Sequence, residues 1–130
     1  MTATDWARDA YARYSARDFS FVNEFTEDVH WHVPDPSTPE LQGREQVLAF
    51  FNGLGEVFSA HRIELVQAVE SGDTLAARVR HVFTRHDGGG GTVDATHWWG
   101  FRDGKVASLY EVADTLAFGQ AAGMIPGPGA

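Results

Sequence analysis

His97 and Glu111, near the end of the chain, have the residue types of an acid/base pair. Histidine titrates close to neutral pH, and a neighbouring carboxylate can orient it or stabilise its charge. His97 lies in a run of alternating polarity, and the side chains of a strand alternate between two faces. The rest of its face is apolar and consists of Val93, Ala95, Trp99 and Phe101. The pattern therefore predicts a proton-transfer group that faces an apolar interior.

The turn between the last two predicted strands decides whether Glu111 reaches that face. The turn ends in a glycine, which suits the left-handed position of a three-residue loop with a bulge. If Phe101 pairs with Lys105 in this way, Glu111 lies on the face of His97. A two-residue turn would instead place Tyr110 there and direct Glu111 outward. We favour the longer loop, because the shorter one would turn small and apolar residues outward. These residues are Ala107, Leu109 and Ala113.

Two further polar side chains are candidates for the same interior. His81 lies on the inner face of the preceding predicted strand, opposite or diagonal to His97, where it can transfer protons or serve as a structural hydrogen-bonding residue. Tyr14 can present its hydroxyl to a pocket, or it can belong to the core like other tyrosines on apolar helix stripes. The residues expected to bind a substrate are Trp31, Val33, Phe51, Leu54 and Trp99, with Asp35 at the mouth.

The same three polar residues, His81, His97 and Glu111, also match a metal site with two histidines and one carboxylate. Ordinary strand alternation is enough to bring them to one face, and no short ligand motif accompanies them. We therefore expect neither a metal nor another cofactor. The chain has no cysteine, which excludes disulfides, thiolate catalysis and cysteine-based zinc sites.

The order of predicted elements is helix, helix, strand, helix and then four strands in hairpins. This order is typical of an α+β fold in which a curved antiparallel sheet packs on the N-terminal helices. We expect a single domain over residues 1–118 and a flexible tail at 119–130, which is rich in glycine and proline. The predicted helices run from residue 4 or 5 to 16, from 18 or 20, and from 43 to 53 or 55, and the predicted strands are 29–33, 63–69, 75–84, 92–101 and 105–113.

Composition limits the classes of partner. The 130 residues carry a formal net charge of −8, with a pI near 5.0. This charge argues against binding to nucleic acid or to anionic membranes, both of which need a basic surface. The N-terminal residues lack the layout of a signal peptide, and no apolar run is long enough to span a membrane. The expected location is therefore the cytoplasm.

Three segments, 27–34, 43–51 and 104–114, resemble a SnoaL-like, ketosteroid-isomerase-related protein of the nuclear transport factor 2-like superfamily. The resemblance covers about residues 5 to 118. It implies a cone in which a strongly bent sheet wraps around helices and encloses a pocket open at one end. It also implies a homodimer formed through the outer face of the sheet. Members of this superfamily include isomerases, cyclases, hydrolases, dehydratases and binding domains, so the fold alone does not define the reaction.

The resemblance also implies roles for individual residues. Polyketide cyclases of the SnoaL type use a histidine and an acidic residue on the last two strands, and His97 and Glu111 match these positions, with glutamate in place of aspartate. Ketosteroid isomerases use an aspartate base together with a tyrosine and a protonated aspartate. Here Val33 occupies the position of the base, and Tyr11 is displaced by one residue from the position of the tyrosine. Ketosteroid isomerisation is therefore not expected.

The resulting hypothesis is a cofactor-free enzyme of the isomerase or cyclase type. It would act on a hydrophobic, carbonyl-bearing substrate such as a polyketide, with His97 moving the proton, Glu111 orienting or charging His97, and aromatic walls excluding water. Two alternatives remain open. The domain can bind a hydrophobic small molecule without catalysis, or its function can be dimerisation.

Overall fold

The computed structural model describes residues 1–34 and 40–127 and has the predicted α+β class. Helices and a single curved sheet form two layers around the main core. The helices are α1 (Ala3–Ser15), a 3₁₀ helix (Ser20–Glu24), α2 (Arg44–Val57) and α3 (Thr115–Ala121). The strands are β1 (Phe25–His32), β2 (Glu40–Gln42), β3 (Phe58–Ser71), β4 (Thr74–Arg85), β5 (Gly90–Arg102) and β6 (Lys105–Ala113).

Helix α1 directs two tyrosines into the protein. It begins with a capping box, in which the Thr2 hydroxyl accepts a hydrogen bond from the backbone of Asp5 and the Asp5 carboxylate accepts one from the backbone of Thr2. The cap therefore lies earlier than the predicted Thr4 or Asp5. Buried residues recur along the helix at three- and four-residue intervals, as expected for one helical face. They are Ala7, Ala10, Tyr11 and Tyr14.

The sheet has the strand order β2-β1-β6-β5-β4-β3. Strands β3 to β6 form an antiparallel meander, whereas β1 pairs with β6 in parallel. The ladders of β3 with β4 and of β5 with β6 contain register shifts, and such bulges increase twist and bend a strand. The curved inner face packs against α1 and α2 and forms the main core.

The predicted three-residue loop between β5 and β6 is wrong. Arg102 pairs with Lys105, so the turn contains only Asp103 and Gly104. Both turn residues have positive φ values, 53° and 77°, as the common two-residue hairpin turn requires. A regular ladder after this turn would direct Glu111 outward.

A bulge at Ala107 restores the inward position of Glu111. Val106 and Ser108 pair with consecutive residues of β5, so Ala107 is the extra residue in β6. The extra residue shifts the rest of β6 by one position. As a result, Glu111 lies directly opposite His97 in the ladder. Glu111 thus lies on the same face as His97, as predicted, but the turn and the register that place it there differ from the predicted ones.

The prediction that Gly53 or Gly55 ends the third predicted helix is also wrong. Helix α2 continues to Val57, and β3 begins directly afterwards at Phe58 instead of at residue 63. A glycine inside a helix costs about 1 kcal/mol relative to alanine, which tertiary packing can offset. The buried side chains of Val47 and Phe51 provide such packing on the sheet.

Helix α3 was not predicted, and it crosses residue 118, where the sequence placed the end of the domain. The Asp114 carboxylate caps it by accepting a hydrogen bond from the backbone of Ala117 at 3.0 Å. Ala121 is buried in a second cluster together with Phe58 and Phe83. Residues 119–121, expected in the flexible tail, are therefore helical. No helix in the described ranges is long and apolar enough to cross a membrane.

Candidate active site

An apolar cavity of about 130 Å³ lies between the inner face of the sheet and helices α1 and α2. Its walls include the aromatic side chains Phe21, Trp31, Phe50, Phe51, Phe83, Trp99 and Phe118. Six side chains in the described part of the lining carry titratable groups. They are Tyr11, Tyr14, His61, His81, His97 and Glu111.

Glu111 holds two histidines with one carboxylate oxygen. The Nε2 atom of His81, on β4, lies 2.7 Å from Oε2 of Glu111, and the Nε2 atom of His97, on β5, bonds to the same oxygen. Both histidines are buried, and the Glu111 side chain is 13% exposed. The other carboxylate oxygen, Oε1, has no hydrogen-bond partner among the residues that the structure describes. Oε1 is therefore available to a molecule in the cavity.

The first arm of the network runs from Glu111 to helix α1 through His97. The Tyr11 Oη lies 2.8 Å from Nδ1 of His97. The indole Nε1 of Trp99 donates a hydrogen bond of 2.9 Å to the same tyrosine oxygen. Tyr11, which the sequence analysis placed only beside an isomerase position, is thus a direct partner of His97.

The second arm runs through His81 and also ends on helix α1. His81 Nδ1 lies 2.7 Å from Nε2 of His61, and His61 Nδ1 lies 2.7 Å from the Oη of Tyr14. His61 is the residue that the sequence analysis missed. The predicted strand began at Ile63, and extending its inward alternation by two residues would have placed His61 on the same face.

One assignment of protons with neutral histidines satisfies all of these hydrogen bonds. A carboxylate only accepts, so His81 and His97 both donate to Glu111 from Nε2–H. A neutral imidazole that donates from one nitrogen accepts at the other, so each Nδ1 accepts a hydrogen bond. In the second arm, His61 likewise donates from Nε2–H to His81 and accepts at Nδ1. Tyr11 donates its hydroxyl proton to His97, and Tyr14 donates its hydroxyl proton to His61. The network is therefore satisfied by one carboxylate, three neutral histidines and two protonated tyrosines.

For Glu111, His61, Tyr11 and Tyr14 the environment shifts the pKa in the direction that this assignment requires. Burial raises the pKa of the Glu111 carboxyl, but the electrostatic attraction of His97 and the hydrogen bonds from both imidazoles outweigh it and hold the pKa below 4.5. Burial and the neighbouring His81 lower the pKa of His61 well below 6.5. Burial also raises the pKa of Tyr11 and Tyr14. Two N–H donors therefore stabilise the charged form of Glu111.

The predicted binding residues lie around this network. The cavity is lined by Trp31, Val33, Phe51, Leu54 and Trp99. The ring of Trp31 packs edge-on against Phe51 and Trp99, with centroid distances of 5.6 Å and 5.5 Å. These contacts fix the aromatic wall beside the polar groups. Asp35, predicted at the mouth, lies outside the described residues.

The three residues of the possible metal site lie close together. One ligand atom from each of His81, His97 and Glu111 falls within 4.8 Å of the others. In the assignment above, however, both Nε2 atoms carry protons that bond to the carboxylate. A metal ion would need both histidines to give up these protons and adopt the opposite tautomer. The expectation of no bound metal stays a prediction.

Comparison with known proteins places this geometry in context. Residues 7–109 match the family model of the SnoaL-like domain. The structure is similar to an NTF2-like protein of unknown function from Burkholderia pseudomallei, with a TM-score of 0.84, 21% identity, and 92% of this chain and 95% of that chain covered. It is also similar to TerC co-crystallised with polyporic acid, with a TM-score of 0.81, 22% identity, and 92% and 97% covered.

A third similar structure is IdmH from Streptomyces antibioticus, provisionally described as a polyketide cyclase. The TM-score is 0.80, the identity is 19%, and 95% of this chain and 99% of that chain are covered. No curated protein matches the sequence. At these identities the similar structures establish the fold, and the resemblance seen in the sequence is confirmed at the level of the family.

Proposed function

The chain belongs to the SnoaL-like domain family, and we propose that it is a cofactor-free enzyme that removes a proton beside a carbonyl group of a hydrophobic substrate such as a polyketide. Proton removal would start ring closure or double-bond migration. The observation that carries this proposal is the Glu111 carboxylate, which has one oxygen held by two imidazoles and the other available in an apolar cavity.

Oε1 of Glu111 is the atom we assign as the base. From the sequence, His97 was expected to move the proton and Glu111 to orient or charge His97. In the structure both ring nitrogens of His97 are engaged, one by Tyr11 and one by Glu111. His97 and His81 therefore hold the carboxylate and supply N–H donors, and the carboxylate contacts the substrate.

The lowered pKa of Glu111 restricts the kind of substrate. A carboxylate with a low pKa is ionised at neutral pH but is a weak base. It removes a proton efficiently only from a carbon that is itself acidic. A carbon between two carbonyl groups meets this condition, and it recurs along a poly-β-ketone chain. The apolar walls exclude water and strengthen electrostatic interactions with the enolate that forms.

Proton exchange at an activated carbon tests the proposal. Ethyl benzoylacetate, an apolar β-ketoester, is incubated with the enzyme in D₂O, and deuterium incorporation is followed by proton NMR. We expect Glu111→Gln to reduce enzyme-dependent exchange by roughly 10²- to 10⁴-fold, the usual contribution of general-base catalysis. The matched control is Glu40→Gln, because Glu40 also bonds two histidines, His30 and His32, but lies outside the cavity lining.

Equal exchange by wild type and Glu111→Gln would contradict the proposal. Saturable binding of the ester by wild type without any exchange would favour the non-catalytic binding module instead. The apolar lining suits both functions, so the exchange measurement decides between them.

A further inference from the structure

The two arms that meet at Glu111 end differently. In the first arm the Tyr11 oxygen accepts a hydrogen bond from Trp99, whose indole N–H can only donate. This contact occupies the acceptor side of Tyr11 and keeps its hydroxyl directed at His97. In the second arm His61 is the only hydrogen-bond partner of the Tyr14 hydroxyl among the described residues. The acceptor side of Tyr14 is therefore open, and Tyr14 lines the cavity.

We propose that Tyr14 is a second proton-transfer residue of the cavity, and that His61 and His81 relay its proton to Glu111. The arrangement extends the logic of a nucleophile–histidine–carboxylate triad by one histidine and places a tyrosine at the reactive end. The inference rests on the proposed function, because it assigns to the same carboxylate a second position at which substrate protons are taken up.

Each step of the relay follows an existing hydrogen bond. A substrate O–H or acidic C–H gives its proton to the Tyr14 oxygen while the Tyr14 hydroxyl proton moves to Nδ1 of His61. The Nε2 proton of His61 moves to Nδ1 of His81, and the Nε2 proton of His81 moves to Oε2 of Glu111. The substrate is left with the electron pair, both histidines stay neutral with the opposite tautomer, and Glu111 becomes a neutral acid.

The reversed relay can return a proton at the same place. Tyr14 then donates its hydroxyl proton to a different atom of the substrate, and each proton moves back by one hydrogen bond until Glu111 is again ionised. The net result is a proton shift within the substrate, with no external acid or base. The first arm is less suited to this, because the Tyr11 oxygen already accepts a hydrogen bond from Trp99.

The positions of the histidine protons give a direct test in the protein without substrate. Nitrogen-15 NMR of imidazole-labelled enzyme at neutral pH distinguishes the two neutral tautomers and the charged form. We expect His61, His81 and His97 each to be neutral with the proton on Nε2, and single His→Phe variants assign the signals. A proton on Nδ1 of neutral His61 or His81 would overturn the relay. Elemental analysis showing one transition metal ion per chain would also overturn it.

The kinetic test uses the exchange reaction described above. A relay that moves several protons in one step gives a curved dependence of rate on the D₂O fraction, whereas transfer of a single proton gives a straight line. We expect a curve for wild type. For Tyr14→Phe and His61→Phe we expect a lower rate and a straight line, because only direct transfer to Oε1 of Glu111 remains. The double variant should be no slower than either single variant, because residues that act as a unit are not additive.

The control is His86→Phe, since His86 is exposed and bonds the Gly55 carbonyl at 2.9 Å. Tyr14→Phe keeps the ring that packs on Phe51, so it stays informative even if His61→Phe does not fold. A straight line for wild type, or slower variants that keep the curve, would show that Tyr14 and His61 are only structural. If wild type exchanges no proton at all, the proposed function fails. The nitrogen-15 NMR measurement of the histidine tautomers then still tests the hydrogen-bond directions that the relay requires.

Discussion

Acidification is expected to destabilise the fold in two steps, and His61 produces the first. Its pKa in the folded protein lies well below 6.5, so below pH 6.5 the unfolded chain binds a proton that the folded chain does not. Stability is fully present above pH 6.5 and falls as the pH decreases, by up to about 1.4 kcal/mol per pH unit. Between pH 7 and pH 5 this single group can reduce the free energy of unfolding by up to about 2 kcal/mol.

Glu111 produces the second step. Its pKa in the folded protein is depressed below 4.5, so its contribution is present above pH 4.5 and is lost as the pH falls towards the folded value. The unfolded carboxylate then takes up a proton that the folded one resists, which adds up to about 1.4 kcal/mol per pH unit. The two groups act in the same direction, but at different pH.

Urea unfolding followed by tryptophan fluorescence at pH 7, 6, 5 and 4 measures both steps. We expect His61→Phe to lose up to about 2 kcal/mol of the pH dependence between pH 7 and 5 relative to wild type. Glu111→Gln should change the dependence only below about pH 5. His86→Phe is the control for the first step and should keep the wild-type slope. If His61→Phe and wild type lose stability equally between pH 7 and 5, His61 is not held neutral by burial.

Two further predictions concern assembly and metal content. The outer face of the sheet exposes Trp98, Tyr110 and Val112 by 48%, 50% and 55%, and such an apolar patch favours an interface with a second copy. Sedimentation at micromolar concentration should show a dimer and Trp98→Glu a monomer, whereas a wild-type monomer would refute the interface. Elemental analysis of purified protein should find no stoichiometric transition metal, and about one zinc or iron per chain would overturn both this prediction and the assigned tautomers.

Strand periodicity was enough to place His81 and His97 on the inner face. Alternation is a local property, and the apolar neighbours of each histidine show which side of the strand faces the core. The position of Glu111 could not be derived in the same way, because it depends on the single extra residue at Ala107. Nothing in the local pattern distinguishes this bulge from a longer turn. The turn was predicted one residue too long and the bulge was not predicted, and the effects of these two errors on the direction of Glu111 cancelled.

His61 shows a different limit of sequence reasoning. Gly53 and Gly55 predicted an early end of the helix, whereas packing of the helix against the sheet carries it to Val57. The following strand begins at Phe58, directly after the helix, and its alternation brings His61 beside His81. Tertiary packing decided this boundary, and local propensity could not.

The polar network itself argues for a role beyond stability. Apolar side chains of similar volume often replace buried polar groups at no cost in stability. Stability alone therefore does not explain a polar network in an apolar cavity. A purely structural network would be expected to engage both oxygens of its carboxylate. Here every imidazole nitrogen is paired, while Oε1 of Glu111 has no partner among the described residues and the acceptor side of Tyr14 is open. Both open positions belong to residues that line the cavity, which is where a substrate must bind for either of them to act.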